Sequence, residues 1–98
     1  MNINKTPEGE KLTVSIEGRL DTTTSPQLEK ELSTCYEGVK ELILDISALD
    51  YISSAGLRVL LSAQKVMSKQ GSMTVKGASP DIMEIFEVTG FVDILNIE

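Results

Sequence analysis

Ser53 and Ser54 are the residues of this chain whose placement offers chemistry. They follow Leu42-Ile43-Leu44-Asp45-Ile46-Ser47-Ala48-Leu49-Asp50-Tyr51-Ile52, which starts as an apolar run of strand length and passes through a short polar connection. After them Ala55-Gly56-Leu57 opens a stretch with helical spacing. A strand that empties into a helix leaves a hydroxyl at the positive end of that helix. Asp21 closes a second strand and is expected on the same rim, because sites in open α/β sheets form outside the carboxyl ends of the strands. A hydroxyl and a carboxylate on one rim suit a recognition surface. They do not make a nucleophile with a base: the chain has no histidine, and nothing in it resembles a catalytic triad.

Each of these residues also has a plain structural role available. A serine just before a helix is commonly its N-cap. Asp21 can cap the turn before the first helix, and Asp45 at the strand end can accept nearby backbone N–H groups. Gly56 in a first helical turn costs about 0.5–1 kcal/mol relative to alanine, so its presence calls for close approach of another backbone.

The elements that must position these residues follow from periodicity. Met1 to Thr6 is a weak first strand, and Pro7-Glu8-Gly9-Glu10 is a turn. Leu12, Val14 and Ile16 alternate with polar residues and form a half-buried strand that pairs with the first as a hairpin. Ser25 as N-cap and Pro26 at the first helical position start a helix. Its inner face holds Leu28, Leu32, Cys35 and Tyr36, and Gly38 supplies a left-handed cap. Cys35 is therefore read as core.

Leu42-Ile43-Leu44 lacks alternation, as in a central strand covered on both faces. The second helix runs from about Ser54 to Lys69, with Leu57, Val59, Leu60, Leu61, Ala63, Val66 and Met67 on one broad arc that only Gln64 interrupts. Arg58, Ser62, Lys65 and Lys69 form a solvated stripe opposite, and Gly71 ends the helix. Met73 and Val75 mark a further strand. Ser79-Pro80 starts a third helix, with Ile82, Ile85 and Phe86 inward and Gly90 as its stop. Phe91 to Ile97 is expected to close as a last strand. The order predicts one α/β domain over residues 1–98: a single mixed, mostly parallel sheet with an antiparallel N-terminal strand and about three helices.

Composition narrows the function further. The net charge of −6 argues against non-specific nucleic-acid or anionic-membrane binding and favours partners with a basic patch. One cysteine forms no intramolecular disulfide and fits a reducing compartment. Without a signal-type leader or an apolar run of spanning length, the expected location is cytoplasmic. No cofactor, metal site or enzymatic activity is expected.

The segment Tyr51-Ile52-Ser53-Ser54-Ala55-Gly56-Leu57, with Leu44-Asp45-Ile46 upstream, resembles the signature of anti-sigma factor antagonists of the STAS domain family. Gly18-Arg19-Leu20-Asp21 is similar to the family's Gly-x-Leu-Asp, and Ser79-Pro80, Phe86 and Gly90 to its late Ser-Pro…Phe…Gly pattern. The resemblance covers nearly the whole chain. In the best-known members the signature reads Asp-Ser-Ser/Thr-Gly-Leu and the serine after the aspartate is phosphorylated. Alignment on Gly56-Leu57 places that serine at Ser54, with Ser53 where those members have aspartate and Ala55 where they have a second hydroxyl.

The resemblance implies a STAS-like fold and a partner switch. Unmodified, the chain would bind an anti-sigma factor that is also a serine kinase and so free a sigma factor. Phosphorylation of Ser54 would end binding, and a serine phosphatase would reset it. Asp21, Ser53, Ser54, Ala55 and Gly56 are the expected partner-binding residues of a monomer or weak dimer. Two other readings stand beside it at this point. One is a constitutive interaction module of a signalling or transporter-associated complex, in which Ser54 is only a cap. The other is a small enzyme or nucleotide binder, although the chain has no phosphate-binding glycine loop and no clustered metal ligands.

Overall fold

A computed structural model describes residues 1–98. Chain order is β1 (Asn2–Glu8), β2 (Lys11–Leu20), α1 (Ser25–Ser33), β3 (Glu41–Ile52), α2 (Ser54–Ser68), β4 (Ser72–Lys76) and α3 (Pro80–Thr89), followed by a 3₁₀ turn at Phe91–Asp93. The four strands form one sheet in the order β1-β2-β3-β4. The β1–β2 pair is antiparallel, and β2–β3 and β3–β4 are parallel, as the chain order predicts. No helix is long and apolar enough to cross a membrane.

Strand register explains the core. Leu12, Leu42 and Met73 share one row across β2, β3 and β4, and Val14, Leu44 and Val75 the next. Side chains alternate along a strand, so these rows point to one face, where Leu28 and Leu32 of α1, Leu57, Leu60, Ala63 and Met67 of α2, and Ile82 and Phe86 of α3 join them in one buried cluster. Each fully buried leucine there contributes about 1.5–3 kcal/mol. The intervening row, Thr13–Ile43–Thr74, faces the other way. Ile43 is buried but lies outside the cluster. The helical layer thus covers one face of β3 rather than both. The C-terminal tail runs along the free edge of β4, and on that other face Asn96 Nδ2 donates to Thr74 Oγ1 at 3.1 Å.

Several boundaries differ from the sequence expectations. The β1 strand continues through Pro7 and Glu8, so the turn is Gly9-Glu10. An edge strand tolerates a proline because its N–H is not needed for a ladder on the free side. The α1 cap is Thr24, not Ser25. Ser25 is buried, with its hydroxyl donating to the Asp21 carbonyl at 2.5 Å. The α1 helix ends at Ser33, so Cys35 and Tyr36 pack on the core from beyond the helix and Gly38 serves the turn before β3. Cys35 is half-buried, its thiol donating to the Glu31 carbonyl at 2.9 Å.

Gly71 does not cap α2 with a left-handed backbone. It is glycine because a Cβ there would overlap the carbonyl oxygen of Lys40, which accepts from Ser72 N at 2.9 Å. Residues Phe91 to Ile97 do not form a strand. After the 3₁₀ turn, the tail makes a single parallel bridge from Ile97 to Val75. The Gly90 backbone at φ 80° ends α3 as expected.

Candidate functional site at the start of α2

The site is built by irregularities in β3. Between Ser15 and Glu17, and again between Gly18 and Arg19, the β2–β3 register shifts. In each case β3 carries one residue more than its partner, the signature of a β-bulge. The first bulge leaves Ser47 without regular pairing, and Asp45 compensates: its Oδ1 accepts from Ser47 N at 3.0 Å and Ser47 Oγ at 2.7 Å. These two bonds, the backbone one first, hold the Asp45 carboxyl below its ordinary range. The second bulge passes Asp50 and re-aims the last residues, leaving Tyr51 exposed and Ile52 buried. The stretch Ile46–Ile52, read from sequence as a polar connection, is therefore strand. Bulges break the two-residue alternation by which a strand is recognised.

Pairing of Leu20 with Ile52 brings the ends of β2 and β3 to one rim, where Ser53 N donates to the Leu20 carbonyl at 2.9 Å. Asp21 leaves from one strand and Ser53-Ser54 from the other. The two serines then part in role. Ser53 is the N-cap of α2, its Oγ accepting from Gly56 N at 3.3 Å. Ser54 is the first helical residue and is exposed, and its hydroxyl has no hydrogen-bond partner within the chain. The Gly56 amide is taken by Ser53 Oγ and the Leu57 amide by the Ser53 carbonyl. Ser54 and Ala55 remain as first-turn amides without intrahelical acceptors.

Gly56 is buried, and its close neighbours are side chains rather than backbone. A Cβ there would lie 2.8 Å from Leu20 Cγ and 2.9 Å from Ile52 Cγ1. The absent side chain lets α2 start directly on the ends of β2 and β3. Asp21 is largely committed locally. Its Oδ1 accepts from Thr23 Oγ1 at 2.8 Å, Thr23 N at 3.0 Å and Thr24 N at 3.1 Å. The Thr23 hydroxyl first, then the Thr24 backbone, keeps its carboxyl below the ordinary aspartate range.

Two further residues join the rim. The Arg19 guanidinium lies 4.3 Å from the centroid of the exposed Tyr51 ring, and its Nε is 3.8 Å from Asp21 Oδ2. Sequence reasoning passed over this pair because only the second bulge sets Arg19 opposite Tyr51. Beside Ser54 an open cleft of about 330 Å³ runs between α1 and α2, with Thr22, Ser25 and Glu29 on one side and Ala55, Arg58 and Ser62 on the other. Arg58 thus borders a concavity beside the site. The arrangement sets an unengaged hydroxyl beside an open concavity. No three histidine, cysteine or acidic side chains gather to hold a metal.

Comparison with known proteins agrees with this fold. The chain is 38% identical over 88 residues to BtrV of Bordetella bronchiseptica, a protein named as an anti-sigma factor antagonist, covering 88% of this chain and 76% of that one. Its fold matches an anti-sigma factor antagonist from Mycobacterium paratuberculosis with a TM-score of 0.88 at 22% identity, over 98% of this chain and 83% of that one. It also matches the Bacillus cell fate determinant SpoIIAA in its phosphorylated form with a TM-score of 0.76 at 18% identity, over 99% and 91% of the two chains. A STAS domain family model matches residues 2–98. With four strands, three helices and a capped helix start all inside that match, this chain belongs to the STAS domain family.

Proposed function

We propose that this chain is an anti-sigma factor antagonist whose partner binding is switched off by phosphorylation of Ser54. The observation that carries this reading is the division between the two serines. Ser53 takes the capping bond, so the exposed Ser54 hydroxyl has no structural duty in the chain. The name borne by its Bordetella relative supports the regulatory class.

Unmodified, the rim of Ser54, Ala55, Asp21 and the α1–α2 cleft docks an anti-sigma factor that is also a serine kinase, which frees a sigma factor. The kinase transfers the γ-phosphoryl group of a nucleoside triphosphate to Ser54 Oγ, breaking the β–γ phosphoanhydride bond and releasing the nucleoside diphosphate and the hydroxyl proton. A serine phosphatase adds water to the phosphoserine, returning the free hydroxyl and inorganic phosphate and restoring binding. Phosphate adds about −1.5 to −2 charges. At the start of α2 it meets free amides and the helix dipole, an interaction worth roughly 0.3–1 kcal/mol at an exposed site. The fold tolerates it. An interface packed on the rim does not, because the charge must be desolvated there. Ser53 and Gly56 act by fixing where Ser54 stands.

The test is the affinity of the cognate kinase for the wild type, Ser54→Ala and Ser54→Asp, with circular dichroism to follow the fold. Ser54→Ala keeps binding, and Ser54→Asp loses at least about tenfold, or 1.4 kcal/mol, with its spectrum unchanged. Equal binding by a folded Ser54→Asp, together with a native complex that holds no kinase and no phosphate, overturns the switch in favour of a constitutive module.

A further inference from the structure

The charge of this chain is not spread evenly. Residues 77–98 hold five carboxylates, Asp81, Glu84, Glu87, Asp93 and Glu98, and no lysine or arginine, whereas the first 76 residues hold nine cations against ten carboxylates. Five of the six net negative charges therefore sit in the last 22 residues. The same segment holds three of the four large hydrophobic side chains that the surface exposes, Val88 at 80%, Ile94 at 45% and Val92 at 36%.

The outer face of α3 brings these properties together. Asp81, Glu84 and Val88 recur on it at helical spacing and, with Thr89 and the edge of Ile85, which is half-buried against the core, line a shallow concavity that shares no residue with the α1–α2 cleft. No acidic residue of α3 is in an ion pair. Stability of the helix does not account for them all. Asp81 in the first turn suits the dipole, but Glu87 stands in a last turn that has no basic residue, where a negative charge is unfavourable.

We infer that the outer face of α3 and the 3₁₀ turn after it form a second docking surface, for a basic amphipathic segment of a partner protein. Apolar side chains rimmed by polar ones mark interaction sites when they cluster, and the sign of the rim selects the occupant. A second copy would set the same carboxylates against one another across a two-fold contact. Anionic lipid and nucleic acid meet the same repulsion. A segment with lysines or arginines around an apolar stripe satisfies both the carboxylates and Val88.

The test is an NMR titration of the whole chain with two synthetic helical peptides of equal length, one of leucine and lysine and one of leucine and glutamate. The lysine peptide should shift a contiguous set of amides from Asp81 to Ile94 and bind about tenfold more weakly when salt rises from about 50 mM to about 300 mM. Val88→Ser, at an exposed position that folding does not need, should weaken it about fivefold. The double variant Glu84→Lys, Glu87→Lys should lose it and take up the glutamate peptide instead. Absence of binding, shifts scattered over the whole surface, or equal response to both peptides overturns the inference. So does a concentration-dependent dimer that Val88→Ser abolishes, which assigns the face to a second copy.

Discussion

Ser53 Oγ accepts the amide hydrogen of Gly56 at 3.3 Å. That bond separates two neighbouring serines into a structural one and a free one. It also ties together the two features that make the helix start unusual, a cap made by the first serine and a glycine three residues on. Gly56 is buried beneath Leu20 and Ile52, so the cap anchors α2 where β2 and β3 end.

Removing the two hydroxyls one at a time should expose this division. Ser53→Ala loses the cap and is expected to cost about 1 kcal/mol. Ser54→Ala removes a hydroxyl with no partner and should change stability by less than about 0.5 kcal/mol. Urea unfolding of both variants measures the difference, and equal losses would refute it.

Two glycines should tolerate alanine unequally. Gly56→Ala pushes a methyl group against Leu20 and Ile52, an overpacking cost of about 1–3 kcal/mol, partly offset by about 0.5–1 kcal/mol of helix propensity. Gly71→Ala drives its methyl group into the Lys40 carbonyl, which is held by Ser72 N and cannot rotate aside as a side chain can. The midpoint of thermal unfolding should therefore fall further for Gly71→Ala. The reverse order would show that the backbone at Lys40 yields more easily than the packing under α2.

Acid should loosen the molecule through Asp45 and Asp21. Both carboxyls are held below their ordinary value of 3.8 by donors from Ser47 and from Thr23 and Thr24. A carboxyl depressed in the folded state binds its proton more readily when unfolded, so its stabilisation is complete above the unfolded value and fades as pH falls through the folded one. Stability should decline as pH drops from about 5 towards 3, and less steeply in Asp45→Ala. Parallel pH profiles of wild type and variant would remove Asp45 from the account.

Arg19 and Tyr51 should act as a unit. With the guanidinium 4.3 Å from the ring centroid, a double-mutant cycle of Arg19→Ala and Tyr51→Ala should give a coupling in stability of about 0.5–1 kcal/mol. If the rim docks the kinase as proposed, either variant should also weaken that complex. Additive effects on stability would mean that the two side chains do not hold each other.

Periodicity alone placed most elements correctly. The alternation of Leu12, Val14 and Ile16, the arc of Leu57, Leu60, Ala63 and Met67, and the Ser79-Pro80 start each report a local constraint that any fold of this chain must satisfy. The failures have a common physical origin. The Ile46–Ile52 stretch loses its alternation because two bulges are inserted against β2, and nothing local announces an extra residue. Phe91–Ile97 is apolar enough for a strand, but the left-handed Gly90 starts a 3₁₀ turn at Phe91–Asp93 against α3, and only Ile97 reaches a bridge to β4.

The family, the class of fold and the place of Ser53-Ser54 where a strand passes into a helix were already determined by residue types and spacing, because capping, periodicity and the signature are properties of short segments. Which serine caps and which stays free, the pairing of Arg19 with Tyr51, and the acidic apolar face of α3 were decided only by the tertiary structure. Each depends on register or exposure, and both are fixed by contacts between residues far apart in the chain.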